Sequence, residues 1–453
     1  MFLLYSLLLT ISILVMLPVF VWDAVRHGKY VAGLRERAGG IGEIDTGSRP
    51  VIWLHCVSVG EVQAARPLAR AIVERFPSHA LVVSTTTLTG QQIAREAFRD
   101  LAASVFYFPF DWAWSVRRAL DRVRPSVVLL METEIWFRFL RECDERGVPV
   151  ALVNGRLSER SFRRYNLIRR FVSRVLDTLS LAVAQTEDDA ARLRALGLTP
   201  ERVRVSGNIK FDLDTGADAR AATEEFRARF AFDDERPLVI AASTHAHEER
   251  VLLEAFKQLL SARPPASHPR ARPRLLIAPR HPERFNEVAS LIEASSLSWA
   301  RRSSPASAED ARREVVLLDS VGELRAVYPL AELVFVGGSI AATGGHNVLE
   351  PAAEAKCVVT GAHTFNFSEI MRRFVERDAL VQLPDLPADE ITAALARTFG
   401  ELLRDDERRR HIGTHALEVL NENRGATART VELLAPILER GSGVGGRGSG
   451  IRS

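Results

Sequence analysis

The chain has 453 residues, 47% of them hydrophobic and 26% charged, and 60 Lys and Arg against 57 Asp and Glu leave a net charge of +3. This length suits two domains or one large one with ample core, and the apolar content excludes a disordered chain. A net charge so small for the size is no footprint for general nucleic-acid binding. Cys56, Cys143 and Cys357 lie too far apart in sequence for a disulfide framework or a spaced zinc site, which suits a reducing cytosol. Lysine is scarce, with four against 56 arginines, so each lysine stands out.

In chain order, residues 1–22 come first. They carry no charge and are apolar except for Ser6, Thr10, Ser12 and Pro18. As a helix this segment would be roughly 33 Å long, about one bilayer core. No basic residue precedes it and no small-residue cleavage site follows, so it reads as an uncleaved membrane anchor rather than a secretory signal. A buried core helix is the plainer alternative. Arg26, Lys29, Arg35 and Arg37 follow it, and by the positive-inside rule the remainder is cytoplasmic. Whether the helix spans the inner membrane or lies in its interface is open at this level.

The rest alternates short apolar runs with amphipathic segments, as in α/β folds with parallel sheets. Strands are expected at 51–57, 80–84, 127–131, 149–153, 181–184 and 203–206. A second series is expected at 238–242, 274–278, 315–318, 333–336 and 357–360. Most are continuous apolar runs, the pattern of strands covered on both faces. Residues 212–236 are polar and Ala-rich, and are read as a linker with a leading helix. The expected layout is an anchor (1–22), a first Rossmann-like domain (23–211), the linker (212–236), a second such domain (237–440) and a disordered Gly/Ser tail (441–453). A cleft would lie between the halves, with ligands at the carboxyl ends of strands.

Several loops carry chemistry. Residues 54–61 follow a strand and open a helix. Ser58 and Glu61 fit a capping box, and equally Glu61 fits a general base that the helix dipole keeps ionised. Glu132 and Glu134, two residues apart after an apolar strand, point in different directions, so one can cap the next helix while the other faces a ligand. Lys210 follows the last strand of the first half, where it can steady a departing phosphate.

In the second half, Ser243 or Thr244 would cap a helix. His245 and His247 have the wrong spacing for a helical metal pair. Arg280 at a strand end is placed for a nucleotide or its phosphate. The run 344–351 brings Gly344 and Gly345, a helix start near Asn347, and Glu350 in position for ribose hydroxyls. Between Arg156 and Arg174 seven arginines interleave with Phe162, Tyr165, Ile168, Phe171 and Val172. This reads as one basic amphipathic helix, either simply solvated or facing anionic lipid.

Together these pieces resemble one family, the bacterial 3-deoxy-D-manno-octulosonic acid (Kdo) transferases of lipopolysaccharide assembly. The matching motifs are HCVSVGE at 55–61, METEIW at 131–136, NGRLSERS at 154–161 and GNIKFD at 207–212. STHAHEE at 243–249, PRHPERF at 279–285, GGHNVLEPAA at 344–353 and GAHTFNF at 361–367 continue the series in order. The resemblance implies a GT-B fold, two Rossmann-like domains with the acceptor on the first and the sugar nucleotide on the second. It also implies that the final helices, around 407–434, cross back to the first half.

By the same resemblance the activity is transfer of Kdo from CMP-Kdo to a lipid A precursor, inverting, without metal or other cofactor. Glu61 would be the general base, and Glu132 and Lys210 transition-state stabilisers. Pro279, Arg280, Val321, Gly322, Glu323, Asn347, Val348, Leu349 and Glu350 would form the CMP site. The expected partners are CMP-Kdo, the lipid A precursor and anionic inner-membrane lipids, with no nucleic acid. Another membrane-associated GT-B sugar-nucleotide transferase, a nucleotide-sugar epimerase, or a non-catalytic nucleotide- or lipid-binding protein are the alternatives.

Overall fold

In the computed structural model, residues 5–7, 10–12, 15, 22, 33–212, 219–232, 236–261 and 272–441 are described. The chain divides into two compact units, residues 1–214 with 423–453, and residues 215–422.

The first unit is built on β1 (Val51–Cys56), β2 (Ala80–Thr85), β3 (Ser104–Tyr107), β4 (Pro125–Met131), β5 (Val150–Gly155), β6 (Leu181–Ala184) and β7 (Val203–Val205). They form one sheet in the order β3-β2-β1-β4-β5-β6-β7, with every neighbouring pair parallel. The sequence pattern anticipates all of these but β3, whose four residues include only two that are buried. Successive side chains of a strand face opposite sides. On one side Trp53 is wholly buried, with the rings of Phe106 and Phe139 edge-on at 5.3 and 5.2 Å. On the other, Ile52, Leu54 and Val83 pack with Val62, Leu68 and Ile72 of the helix Val59–Arg75. Each such side chain taken from water stabilises the fold by about 1.5–3 kcal/mol.

Leu434 and Leu438 join that same cluster from the helix Ala426–Gly441. This last helix belongs to the first unit, while the preceding helix Asp406–Asn423 lies in the second except for its final residue. Its start is tied down by Asp212, whose carboxylate accepts from the Gly425 and Thr427 amides at 2.6 Å each.

The second unit repeats the plan with β8 (Leu238–Thr244), β9 (Arg274–Pro279), β10 (Trp299–Arg301), β11 (Val315–Leu317), β12 (Leu333–Val336), β13 (Cys357–Thr360) and β14 (Val381–Gln382). Their order is β10-β11-β9-β8-β12-β13-β14, again parallel throughout. β10 and β14, with three and two residues, are too short to leave a periodic signal. Within 212–236 the helix Ala219–Phe230 packs as part of this unit. Thr223 donates to the Ala326 carbonyl at 2.8 Å, and Arg229 pairs with Asp310 at 2.8 Å.

Each unit has a point where the chain turns from building one side of the sheet to building the other. It lies between β1 and β4 in the first and between β8 and β12 in the second. In open α/β sheets, ligands collect at the carboxyl ends of the strands at this point.

Most of the anchor expected over 1–22 lies outside the described residues, as does the tail beyond 441. Of the described part, Tyr5 donates to Asp111 at 2.8 Å and Thr10 accepts from the Trp112 indole at 3.1 Å. Among the described residues no helix is long and apolar enough to cross a membrane. The basic segment is not one helix. It breaks at Ile168, which leaves helical geometry at φ −116°, ψ 30°, into Glu159–Leu167 and Arg169–Leu176. Neither Gly nor Pro marks the break. Phe171, Val172, Val175 and Leu176 are buried, while Leu167 and Ile168 are exposed by 86% and 48%.

Candidate active site

At the first unit's switch point, the loop after β1 turns directly into the helix Val59–Arg75. Ser58 caps it by accepting from the Glu61 amide. The return arm of the box reaches one residue further than expected. Glu61 Oε2 accepts from the Val57 amide at 2.8 Å, and Oε1 accepts from the Ser58 hydroxyl at 3.1 Å. Both carboxylate oxygens of Glu61 are therefore held by the loop that opens its helix.

The helix dipole does not keep Glu61 comfortably ionised, contrary to the expectation from its position. Burial, then the nearby Glu132 carboxylate, push its carboxyl up to about 7, against the opposing pull of the Val57 hydrogen bond. Removing the carboxylate from water outweighs a partial charge at a helix start. A carboxylate poised near 7 both accepts and keeps a proton, which suits a general base.

Glu132 sits at the end of β4 with φ +54°, and its amide donates to the Val153 carbonyl at 2.9 Å. Its carboxylate pairs with the Lys210 ammonium at 2.8 Å, each side chain about one-fifth exposed. Lys210 follows β7 and is set by Asn208, whose side chain accepts from the Lys210 amide at 3.0 Å. Glu134 is also raised to about 7, by burial and then by Glu132. Tyr165, from the basic segment, is raised by burial and by Glu134. Neither Glu132 nor Glu134 caps the next helix, Phe137–Glu145, whose Arg138 and Phe139 amides donate instead to the Asp111 carboxylate at 3.0 and 2.8 Å. Glu132 thus links Glu61 and Lys210, 149 positions apart in sequence, at the carboxyl-end side of the first sheet.

In the second unit the expected nucleotide residues fall on three loops. Pro279 ends β9 and is buried, and the Arg280 amide donates to the Thr244 carbonyl at 3.0 Å. Val321 is 78% exposed beside Gly322, whose φ of +89° favours glycine, and the Glu323 carboxylate is held by Arg302 at 2.7 and 3.1 Å. The helix near Asn347 is a short one, Leu349–Ala353. Asn347 accepts from the Leu349 amide at 3.0 Å and faces Glu350, whose carboxyl is raised by burial, with Arg325 and Asn347 lowering it. Val348 and Leu349 are buried. Thr244 donates to the Glu249 carboxylate at 2.8 Å, and Glu249 in turn pairs with Arg284 at 2.7 Å.

Sequence reasoning missed two features here. The fully buried Glu248 accepts hydrogen bonds from the amides of His245, Gly338, Ser339, Ile340 and Ala341 at 2.8–3.1 Å. His245, rather than pairing with His247, meets His346 with the two Nε2 atoms 2.7 Å apart. The available signal was that STHAHEE, PRHPERF and GGHN each carry a histidine within two residues of a strand end or glycine turn.

Two parallel-sheet α/β units with polar clusters at both switch points define a GT-B-like protein. A structure of UDP-GlcNAc 2-epimerase from Neisseria meningitidis shares this fold, with a TM-score of 0.53, 13% identity, and coverage of 86% of this chain and all of that one. The family described as 3-deoxy-D-manno-octulosonic-acid transferase (kdotransferase) matches residues 32–213. The 3-deoxy-D-manno-octulosonic acid transferase of Haemophilus influenzae is 37% identical over 92% of this chain and 94% of its own length. That of Bordetella pertussis is 34% identical over 84% and 86%. The chain belongs to this family of glycosyltransferases.

Proposed function

We propose that the protein transfers Kdo from CMP-Kdo to a hydroxyl of the lipid A precursor, with inversion and release of CMP. The observation that supports this most is Glu61 at the first switch point, beside the Glu132–Lys210 pair and with its carboxyl raised to about 7. The anomeric carbon of a ketose acid leaves its phosphate through an oxocarbenium-like state. The acceptor oxygen attacks from the opposite face as Glu61 takes its proton. Lys210 supplies a fixed cation for charge building in the transition state, and Glu132 holds that ammonium in place. The CMP moiety is assigned to the second unit, with Pro279, Arg280, residues 321–323 and residues 347–350 around it.

The acceptor is a lipid, and we place the protein at the cytoplasmic side of the inner membrane. Leu7, Ile11 and Val15, at spacing four, are exposed by 56, 47 and 69%. That spacing puts them on one helix face. Exposed Leu167 and Ile168, flanked by arginines 163, 164, 169 and 170, supply a second apolar edge with positive charge for anionic headgroups.

Incubation of the native protein in detergent with CMP-Kdo and a tetra-acylated lipid A precursor tests the proposal. The expected result is CMP release that depends on the acceptor. Absence of release, or release independent of the acceptor, overturns it.

A further inference from the structure

The transfer chemistry above makes no use of the histidines of the second unit. His245 follows β8, His281 follows β9, and His346 lies in the loop after β12, so all three sit at the switch point. The His245 and His346 rings stack with centroids 5.0 Å apart and planes 9° apart, and the His281 ring meets His245 edge-on at 5.2 Å. With Nε2 facing Nε2 at 2.7 Å, one nitrogen donates and the other accepts, so a single proton lies between them.

This arrangement is built. Glu248 ties the His245 amide and the 338–341 amides to one carboxylate. The His346 ring lies over Gly338, where a Cβ would stand 2.9 Å from its Cδ2, and Gly345 donates to the Gly338 carbonyl at 2.7 Å. Glu248 therefore fills the backbone nest after β12 with the protein's own carboxylate, and an incoming anion must bind elsewhere.

The charge around the histidines is unbalanced. His245 is faced by His281, Glu249, Arg280 and Arg284, and His346 by His245, Arg280 and His281. Glu249 is already committed to Arg284. Arg280 has no ion-pair partner among the described residues. Burial and these neighbouring cations push His346 down to about 3 and lower His245 as well. All of these side chains except Glu249 keep partial exposure, so a solute can reach them. A partly open set of imidazoles and a guanidinium without a counter-charge is completed by an oxyanion, which accepts from Arg280 and lets the imidazoles hold protons.

We propose that His245, His346 and Arg280, with His281 at the edge, form a binding subsite for an oxyanion of the donor substrate, its phosphate or its sugar carboxylate. This rests on the sugar-nucleotide donor proposed above.

The test compares full-length native protein with H346Q and H245Q, after checking that each variant melts as the native protein does. Cytidine, CMP and free Kdo are titrated by calorimetry, and the KM for CMP-Kdo is measured. Loss of a charge-assisted hydrogen bond weakens binding roughly tenfold or more. If the oxyanion is the phosphate, CMP weakens by that factor and cytidine does not. If it is the carboxylate, CMP is unchanged, while free Kdo weakens and the KM for CMP-Kdo rises. Native-like values throughout overturn the subsite.

Should both variants melt early, titrations of native protein with CMP and with Kdo in two buffers of different ionisation heat replace them. Proton uptake with at least one ligand is expected, and none with either overturns the proposal. A native protein that binds neither CMP nor Kdo and releases no CMP refutes the donor assignment itself, a result distinct from failure of the subsite.

Discussion

The two switch points use one scaffold for opposite chemistry. In the first unit, Glu61 and Glu134 face Glu132, which is paired with Lys210. In the second, three histidines and Arg280 cluster with Glu248 turned away into backbone amides. Burial acts on both and drives each toward neutrality, Glu61 and Glu134 upward to about 7 and His346 downward to about 3. The sheet decides where side chains gather, and the loops decide their charge, so likeness of fold alone says little about which reaction occurs. An acidic cluster suits taking a proton from a hydroxyl, and a basic one suits holding an anion.

The largest test of this division is Glu61→Gln. It should lower acceptor-dependent CMP release by about 10²–10⁴-fold while CMP affinity, set by the other unit, stays native. A rate within a few-fold of native would reduce Glu61 to its capping role.

Lys210→Met should cost on the order of 10²-fold in rate. It also leaves Glu132 without its counter-charge, so Glu61 faces a stronger negative field. The midpoint of the pH–rate profile should then move above that of the native protein, and an unmoved midpoint would separate Lys210 from the carboxylate cluster.

For the native protein, kcat/KM should rise with pH, about tenfold per unit below roughly 7, and level off above, because the base works deprotonated. A profile flat from pH 5 to 8 would remove Glu61 as the titrating group.

The smallest expected effect is on stability. The Glu61 carboxyl is raised on folding, so its favourable contribution is fully present below its usual value of 4.5 and is lost as pH rises through about 7. Glu61→Gln should therefore be more stable than native at pH 8, by on the order of 1–3 kcal/mol, and lose this advantage toward pH 4.5. Equal thermal midpoints for the two proteins at pH 8 would show that the carboxylate is not under strain.

Much of the architecture was legible beforehand because buried parallel strands are written as continuous apolar runs, and β6, β12 and β13 fall on the residues anticipated. The short strands β3, β10 and β14 were not, since two to four residues carry no period. The basic segment kept its helical spacing across Ile168, so the pattern gave no sign of the break.

The candidate site residues were legible for a related reason. Glu132 follows β4 directly, Glu61 and Lys210 come five residues after the ends of β1 and β7, and strand ends are where such sheets place their ligands.

What the sequence by itself determined was the set of local elements and the loops that join them, because periodicity, capping and glycine turns act over a few residues. Tertiary structure alone decided which loops meet. Only the assembled sheet and the loops folded over its end set Lys210 against Glu132 and His245 against His346, pairs 78 and 101 residues apart. Titration followed from the same cause, since burial and a neighbour's charge depend on packing across the whole unit. For this reason the Glu61 carboxyl is pushed up to about 7 rather than kept ionised by its helix.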